Sequence, residues 1–244
     1  KQNRIHISEV DMVVEGEHPP LPTLPSPPPE ERDMVIAKSL VDQMEDGSTL
    51  QLGIGKMPSI VGSLIADSDL KNLGCHSEMV GDAYLALYKA GKLTNTEKQL
   101  HRGASIWTII GGSKELYDWV DLNEEFEGRP VDYVNAPDII ARHDKVVSIN
   151  NCLEVDLFGQ TCAESIGTRH ISGSGGQLDF LTGAFLSRGG KAFICMTSSY
   201  TGKDGVERSR IVPTLPQGGI VTDPRGQAYF LVTEYGVANL AGRT

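Results

Sequence analysis

The sequence predicts an α/β protein built on an open, largely parallel twisted sheet with helices on both faces. Apolar stretches typical of strands alternate with helical patterns along most of the 244 residues. Glycine turns follow several of these strands, as in open α/β sheets. Two stretches, IWTII and KAFICM, are apolar enough to be buried strands. This alternation favours a layered architecture with helices on both faces.

The first elements form a strand–turn–helix unit. Apolar residues at helical spacing predict a helix over 31–44, and TLQLGI predicts a strand over 49–54. Gly53 to Pro58 then turn the chain. Proline suits the first turn of a helix, so a second helix is expected to begin there and to carry the apolar residues of 60–65.

The middle of the chain repeats this pattern. NLGCHSE predicts a short strand over 72–78, with Glu78 at its carboxyl end, and AYLALYKAG predicts a helix. A buried strand is expected over 106–110, before a glycine turn and a helix in KELYDWV. Residues 131–134 are expected to form a short strand, and residues 137–141 a helix.

The last third contains shorter elements. Residues 145–149 and 153–158 are predicted to form a strand pair or one bulged strand, and residues 191–198 a central strand. Residues 211–213, 219–222 and 228–233 are predicted as shorter, more antiparallel strands. The final stretch, EYGVANLAGRT, shows no closing element.

The first 30 residues have a different composition. HPPLPTLPSPPPEE favours extended polyproline geometry, because proline lacks a backbone donor and restricts the chain. We therefore expect residues 1–30 to be a linker or a strap across a surface. A linker at the start also suggests that another segment normally precedes it.

Composition excludes several classes of function. The formal charge of −10 argues against nonspecific binding to nucleic acid or anionic membranes. No apolar run reaches the length of a membrane span, and the start does not resemble a signal peptide. The four cysteines lack paired or zinc-ligand spacing, so we expect buried free thiols, no metal site and a reducing, cytoplasmic compartment.

The stretch ISGSGGQLDFLTGAF contains a candidate anion site. Glycines around Gly173 to Gly176 let another group approach the backbone, and a helix is expected to begin directly after them. N–H groups at a helix start suit a phosphate or an oxyanion. The alternative is a tight turn without a ligand.

The glycine turn GIGKMP does not match the common nucleotide motifs. It lacks the third glycine of GxGxxG and the GK[ST] of a Walker loop. A nicotinamide-dependent dehydrogenase is therefore disfavoured. The turn still follows a strand, so it is expected at the edge where ligands collect in open α/β sheets.

Glu78 is a candidate nucleophile. An ionised carboxylate at a strand end can attack an activated acyl carbon, although a solvated loop residue is the plain alternative. Glu154, Asp156 and Glu164 are rival carboxylates. Glu154 and Asp156 share one face of a strand, so one of them could orient a substrate or merely cap a loop. His76 would face the same side as Glu78 by the two-residue period of a strand, either as a general acid or as a hydrogen-bonded structural histidine.

Six stretches in order resemble the acetyl-CoA hydrolase/transferase family: GIGKMP, LGCHSEM, SINNCLEVDLFGQ, SGSGGQLDF, SRIVPTLP and VTEYGVANLAG. They are most similar to the branch of 4-hydroxybutyrate and butyryl-CoA:acetate CoA-transferases, which are class I CoA-transferases. Those proteins have two related α/β halves of the NagB/RpiA-like fold. The resemblance implies that residues 31–244 are the second half, cut at its end, and that the first half is missing.

The resemblance also implies roles for individual residues. Glu78 would form a glutamyl-CoA thioester, and coenzyme A would be a substrate rather than a tightly bound cofactor. Backbone N–H groups around Gly175 and Gly176 could stabilise the oxyanions of the reaction. The implied CoA contacts are Gly53, Ile54, Gly55, Lys56, Met57, Leu153, Gly176 and Lys203.

Three functions remain open at this point. The first is transfer of CoA between acyl-CoA and small carboxylic acids, and the second is acyl-CoA hydrolysis, in which water attacks the glutamyl thioester. The two differ in how a closed pocket excludes water, which sequence does not reveal. The third is a non-catalytic ligand-sensing module of the same fold. A homodimer is expected from the resemblance alone.

Overall fold

The computed structural model describes residues 5–24, 27–227 and 229–241. A short 3-10 turn at Ile7–Glu9 precedes the helices and strands. The helices are α1 (Glu31–Val41), α2 (Lys56–Asp67), α3 (Asp82–Lys89), α4 (Lys114–Val120), α5 (Val131–Val134), α6 (Pro137–Ile140) and α7 (Gln177–Leu186). The strands are β1 (Thr49–Leu52), β2 (Gly74–Val80), β3 (Ser105–Ile110), β4 (Phe126–Gly128), β5 (Val146–Asn151), β6 (Glu154–Asp156), β7 (Thr161–Cys162), β8 (Ser165–Ile166), β9 (Arg169–His170), β10 (Lys191–Cys195), β11 (Ser199–Thr201), β12 (Glu207–Ser209), β13 (Ile211–Val212), β14 (Phe230–Thr233) and β15 (Gly236–Asn239).

An eight-stranded sheet forms the centre of the described protein. Its order is β15-β14-β10-β5-β1-β2-β3-β4. All neighbouring pairs are parallel except β14 and β15, in which the edge strand β15 runs antiparallel to β14. The predicted fold class, a largely parallel sheet with some antiparallel strands near the C-terminus, is confirmed.

Helices cover the sheet on both faces. Apolar side chains of α1 to α4 pack on one face against residues such as Leu50, Leu52 and Ile149. Side chains of α5 to α7 pack on the other face against residues such as Val146 and Ile194. Because strand residues alternate between faces, each central strand contributes to both layers.

Glycine and proline punctuate the first βαβ unit as the sequence predicts. β1 is buried along its whole length. Gly55 has a φ of +100°, a conformation that favours glycine, and α2 begins at the next residue. Pro58 lies in the first turn of α2, where a missing N–H costs nothing.

The predicted strand at residues 131–134 is wrong. Those residues form the helical turn α5, in which the Val134 N–H donates to the Pro130 carbonyl. Val134 is fully buried. The β-branched valines favour a strand in isolation, but burial of Val134 against the sheet outweighs that preference.

Residues 145–149 and 153–158 form neither the predicted strand pair nor the single bulged strand. β5 lies between β1 and β10, so both of its edges are already hydrogen-bonded. β6 instead joins β7 and β13 in a separate three-stranded sheet. The strand predicted over 106–110 exists as β3, but it is buried only in part, since Ile106 is fully buried and Ile109 is 47% exposed.

The C-terminal elements differ from expectation in three respects. Residues 219–222 form a loop that bonds to the β7 and β8 region, with Thr222 N–H donating to the Thr161 carbonyl. β14 is parallel to β10, and β13 is parallel to β6, rather than antiparallel. β15 closes the edge where no closing element was expected. The predicted start of β14 at Ala228 lies outside the described residues, as do 242–244.

The proline-rich segment contacts the sheet edge in its described part. Leu24 N–H donates to the Gly112 carbonyl at 3.1 Å, and the Tyr117 hydroxyl donates to the Pro22 carbonyl at 2.8 Å. Residues 1–4, 25 and 26 of the predicted linker lie outside the described residues. Residues 22–24 therefore lie against the loop after β3 and against α4, whereas the linker or strap over 1–30 stays a prediction.

All four cysteines are buried as free thiols, as predicted. Burial raises the pKa of both Cys75 and Cys195 to about 12, so these thiols are protonated at neutral pH. In the described ranges, no helix combines the length and apolar character that a bilayer crossing requires.

Candidate active site

The Glu78 carboxylate lies between two helical segments on the α5–α7 face of the sheet. Its Oε2 atom accepts a hydrogen bond from Gly176 N–H at 2.9 Å and another from Asn135 Nδ2 at 2.9 Å. The side chain is half-buried. The prediction that Glu78 is the last residue of its strand is wrong, because β2 continues to Val80. The structure nevertheless brings the candidate nucleophile and the glycine loop into direct contact.

The loop can make this contact only because it has no side chains there. A Cβ atom at Gly176 would lie 2.3 Å from Glu78 Oε2 and 2.3 Å from Asn135 Nδ2. Gly175 has a φ of +55°, which favours glycine. Gly176 also precedes the first residue of α7, so its N–H is at the positive end of the helix dipole. Geometry therefore requires glycine at position 176 and favours it at position 175.

Asn135 was not anticipated from the sequence. It follows α5, and that helix is held by two histidines. His76 Nε2 donates to the Val134 carbonyl at 2.8 Å, and His101 Nε2 lies 2.6 Å from the Tyr133 hydroxyl. No local motif marks an asparagine in this position, because its role depends on where α5 docks.

His76 is a hydrogen-bonded structural histidine rather than a general acid. It faces the same side as Glu78, as the period of two predicts, and it is buried. Burial lowers the pKa of His76 to about 4, so the ring is neutral near pH 7. Its Nε2 is already bonded to a backbone carbonyl. The ring therefore supports α5 beneath the carboxylate.

Asp179 is a second residue near the carboxylate that the sequence did not single out. It lies in the first turn of α7. Burial and the nearby charge of Glu78 both raise the pKa of Asp179. The site thus carries two carboxylates close to one helix start, of which Glu78 makes the bonds to the loop.

The first glycine turn lines a separate cleft at the carboxyl ends of β1, β2 and β3. The cleft holds about 230 Å³ and is lined by Gly53, Ile54, Gly55, Pro58, Ser59, Gly81, Asp82, Ala83, Gly111, Gly112 and the strap residue Leu24. Among the described residues, no hydrogen bond joins the turn at 53–57 to the Glu78 side chain. Both features lie at the same edge of the sheet, as expected for parallel strands.

Lys56, an expected CoA contact, is engaged within the chain. Its ammonium lies 2.7 Å from Asp33 Oδ2 and 3.5 Å from Glu30 Oε1. The hydrogen bond to Asp33 raises the pKa of Lys56, so the group stays charged. Met57 beside it is buried. A phosphate at this turn would therefore have to compete with an existing ion pair.

Leu153 and Lys203, two further expected CoA contacts, lie in loops that follow β5 and β11. Leu153 joins β5 to β6, where its N–H donates to the Cys162 carbonyl and its carbonyl accepts from Arg210 Nη1. Lys203 is exposed in the turn between β11 and β12. The backbone of Leu153 is thus fixed, whereas the lysine faces solvent.

The rival carboxylates lie elsewhere and mostly have structural partners. Asp156 Oδ1 accepts from Gln160 N–H, so it caps the β6–β7 loop. Glu164 is buried and accepts from the Thr222 hydroxyl at 3.0 Å. Glu154 is half-buried in β6. Within the described ranges, none of them bonds to the loop at 175–176, in contrast to Glu78.

This arrangement can support nucleophilic chemistry. Two donors hold Glu78 Oε2, while no described donor bonds to Oε1. One oxygen is thereby oriented and the other is left to attack an electrophilic carbon. The same two donors would stabilise negative charge on Oε2 during attack on the Glu78 carbonyl carbon, as an oxyanion hole does.

The chain is similar to a known protein family and to proteins of established names. Residues 112–244 match the family model for the acetyl-CoA hydrolase/transferase C-terminal domain. The chain is 47% identical to a probable butyrate:acetyl-CoA coenzyme A-transferase of Syntrophomonas wolfei, over 100% of the chain and 54% of that protein. It is 49% identical to a butyryl-CoA:acetate CoA-transferase of Anaerostipes caccae, over 98% of the chain and 54% of that protein.

The fold gives the same result. The crystal structure of RipA from Yersinia pestis superposes with a TM-score of 0.89 at 40% identity, covering 98% of this chain and 53% of that one. The chain thus spans about half the length of the relatives it matches. Since the family model covers more than half of the chain, and similar relatives cover nearly all of it, the chain belongs to the acetyl-CoA hydrolase/transferase family.

Proposed function

We propose that this chain is the catalytic half of a CoA-transferase. The enzyme moves CoA between an acyl-CoA, such as 4-hydroxybutyryl-, butyryl- or acetyl-CoA, and a free carboxylate such as acetate. The observation that carries the proposal is the pair of hydrogen bonds that Gly176 and Asn135 donate to Glu78. The names of the similar proteins support the substrate class.

The reaction follows from the free oxygen of Glu78. Oε1 attacks the acyl carbon of the thioester, and the CoA thiolate leaves, giving a mixed anhydride. The thiolate then attacks the Glu78 carbonyl carbon and the donor acid departs as a carboxylate. This leaves CoA bound to Glu78 as a thioester. An incoming carboxylate repeats both steps in reverse, so no proton or electron is consumed overall.

Each step passes through a tetrahedral oxyanion that needs donors. Gly176 N–H and the Asn135 amide are the two donors already aimed at the carboxylate. Fixed donors of this kind typically contribute several kcal/mol to an acyl-transfer step, because they are oriented before the charge develops. Gly175 keeps the loop in the shape that presents the Gly176 N–H.

We propose further contacts to CoA. We assign the turn at 53–57, Leu153, Gly176 and Lys203 to CoA. Lys203 is exposed and can serve as a point charge for a phosphate, whereas Lys56 would exchange its bond with Asp33 for a ligand contact. Coenzyme A is a substrate here, with no tightly bound cofactor.

The assembly that carries out the reaction extends beyond this chain. Because the relatives are about twice as long, we propose that the other half of such a protein completes the acyl site. The protein made of both halves is called the two-half protein below. We also propose a homodimer located in the cytoplasm, where reducing conditions suit four free thiols.

Mass spectrometry of the two-half protein tests the covalent step. After incubation with butyryl-CoA, we expect a CoA-sized adduct on Glu78 that is absent in Glu78→Ala. That variant should lose turnover while keeping its fold, because the half-buried carboxylate makes only two hydrogen bonds. Glu154→Ala is the matched control and should retain both adduct and turnover. Substantial transfer by Glu78→Ala would refute the assignment, and a lasting absence of any adduct would favour a ligand-sensing module.

Hydrolysis is the second candidate, because the family unites hydrolases and transferases. The glutamyl thioester is common to both, and the outcome depends on whether water or a carboxylate reaches it. Free CoA released at the same rate with and without added acetate would identify a hydrolase. We expect butyryl-CoA consumption to depend on acetate.

A further inference from the structure

Three polar side chains form a hydrogen-bonded network on β1 and β5. The Ser148 hydroxyl donates to Gln51 Oε1 at 2.7 Å, and Asn150 Nδ2 donates to Ser148 Oγ at 2.9 Å and to Gln51 Oε1 at 3.2 Å. Gln51 Nε2 donates back to Asn150 Oδ1 at 3.3 Å. Gln51 and Ser148 are buried, and Asn150 is half-buried. We call these three residues the amide network.

The amide network faces the same side of the sheet as Glu78. Leu50, Leu52 and Ile149 point into the core under α1 to α4. Because strand side chains alternate, Gln51 and Asn150 point to the opposite side, where α5 to α7 lie. The amide network is thus a polar patch on the side of the sheet that carries Glu78.

Register places Asn150 at the same height as Glu78. Gln51 pairs with Ser148 and Leu52 with Ile149, so Gly53 follows level with Asn150. On the other side, Leu50 pairs with Cys75, and the Ser77 hydroxyl bonds to the Leu52 carbonyl, so Gly53 is also level with Glu78. Asn150 and Glu78 are therefore two strands apart, or about 10 Å.

Gly53 leaves the space between them open. A Cβ atom built at this position would meet only Pro58, at 3.9 Å. The path over the sheet from Glu78 to the amide network therefore crosses a residue without a side chain. A narrow extended ligand can lie along it, because no side chain projects at position 53.

Within the described chain, Asn150 and Gln51 each keep one hydrogen-bonding position unused. Asn150 Oδ1 has two lone pairs and accepts one bond, and Gln51 Nε2 has two N–H groups and donates one. One acceptor beside one donor is the complement of a secondary amide, which offers one N–H and one C=O.

We propose that the amide network binds the second amide of the pantetheine chain of CoA, with Asn150 as the contact residue. This inference rests on the proposed function, since it takes Glu78 as the site of the thioester. Pantetheine carries two secondary amides, and seven bonds separate its sulfur from the second amide nitrogen. Since three backbone bonds span about 3.5 Å when extended, seven span about 8 Å, which together with the thioester matches the separation of Glu78 and Asn150.

Truncated thioesters test this assignment in the two-half protein. We would measure kcat/KM for butyryl thioesters of CoA, pantetheine and N-acetylcysteamine, the last of which ends before the second amide. Asn150→Ala should lower kcat/KM about threefold to tenfold for the first two thioesters, because one hydrogen bond is lost. It should leave the N-acetylcysteamine thioester unchanged by comparison.

Ser148→Ala is the matched control. It removes another member of the amide network, but one that is fully buried and therefore out of reach of the ligand, so any loss should be equal for the three thioesters. An equal loss in Asn150→Ala, or a full loss with N-acetylcysteamine, would overturn the inference. Failure of wild-type protein to form any Glu78 adduct would instead refute the proposed function itself, which keeps the two failures distinct.

Discussion

At the scale of single residues, the candidate site depends on the absence of a side chain. Gly176 brings its N–H within 2.9 Å of Glu78 because nothing occupies the place of its Cβ. Asn135, at the end of α5, donates to the same oxygen. One oxygen is thereby held by two donors, and the second is available for reaction. A single methyl group at the glycine would disturb all three groups at once.

Gly176→Ala tests this geometry. The new Cβ would lie 2.3 Å from Glu78 Oε2 and equally close to Asn135 Nδ2, so the carboxylate and its donors must separate. We expect about a hundredfold or greater loss of kcat in the two-half protein, the usual effect of removing one oxyanion donor. The measurement is steady-state transfer from butyryl-CoA to acetate, together with adduct formation on Glu78.

Gly173→Ala is the control for that substitution. It lies in the same loop, but a Cβ at Gly173 meets nothing within 4 Å. It should retain activity within about twofold of wild type, as expected for a surface substitution of small effect. Equal loss in both variants would mean that general loop flexibility, rather than the contact with Glu78, determines the rate.

At the scale of elements, close helix packing positions the strand ends. α2 follows β1 and α3 follows β2, and both helices cover the same face of the sheet. Gly62 in α2 lies directly against Ala83 in α3, where an added Cβ would be 2.7 Å from the Ala83 Cβ and 2.8 Å from its Cα. The two helices can approach this closely only with a glycine at the crossing.

Gly62→Ala should therefore destabilise the fold, even though alanine is the better helix former. The gain of about 1 kcal/mol in helix propensity is outweighed by overpacking against backbone, which costs about 1–3 kcal/mol. We expect a net loss of about 1 kcal/mol, measured as a lower urea midpoint at unchanged slope. Ser63→Ala, on the exposed face of the same helix, should raise the midpoint slightly. A higher midpoint in Gly62→Ala would show that the helices can separate freely.

At the scale of the whole molecule, two buried histidines connect the sheet to the α5–α7 layer. The rings of His76 and His143 lie 5.0 Å apart between their centroids, and both residues are buried. Burial lowers the pKa of His76 to about 4. Burial, followed by the neighbouring His76, lowers the pKa of His143 to about 2. Both rings are therefore neutral in the folded protein across the physiological range.

This arrangement predicts acid sensitivity with a definite sign. The unfolded histidines take up protons as pH falls below the ordinary value of 6.5, while the folded ones do not, so stability is full above 6.5 and declines as pH falls towards 4. Each histidine should lower the free energy of unfolding by about 2 kcal/mol between pH 7.5 and pH 5. Urea unfolding at the two pH values measures this loss.

His143→Leu should remove about half of the loss that the histidine pair causes, because a neutral side chain of similar size replaces one of them. His6→Ala changes an exposed histidine instead and should leave the pH dependence as in wild type. An unchanged pH slope in His143→Leu would show that other groups govern acid unfolding.

Much of the architecture could be predicted because hydrophobic period and turn chemistry are local properties. The helix at α4 and the turn before α2 follow directly from such patterns. The predictions failed where local patterns conflict with tertiary packing. The valines at 131–134 favour a strand by propensity, and residues 153–158 were assigned a partner whose edges are already taken by β1 and β10.

The sequence by itself determined the alternation of strands and helices, the family resemblance and the choice of Glu78 and the loop at 175–176 as candidate groups. These depend on residue type and spacing, which a linear chain displays directly. Only the tertiary structure decided that Gly176 and Asn135 share one oxygen of Glu78 and that Asn150 lies level with it across Gly53. The physical reason is that hydrogen bonds and strand register act between segments far apart in sequence, so their geometry exists only once the sheet and its two helical layers have assembled.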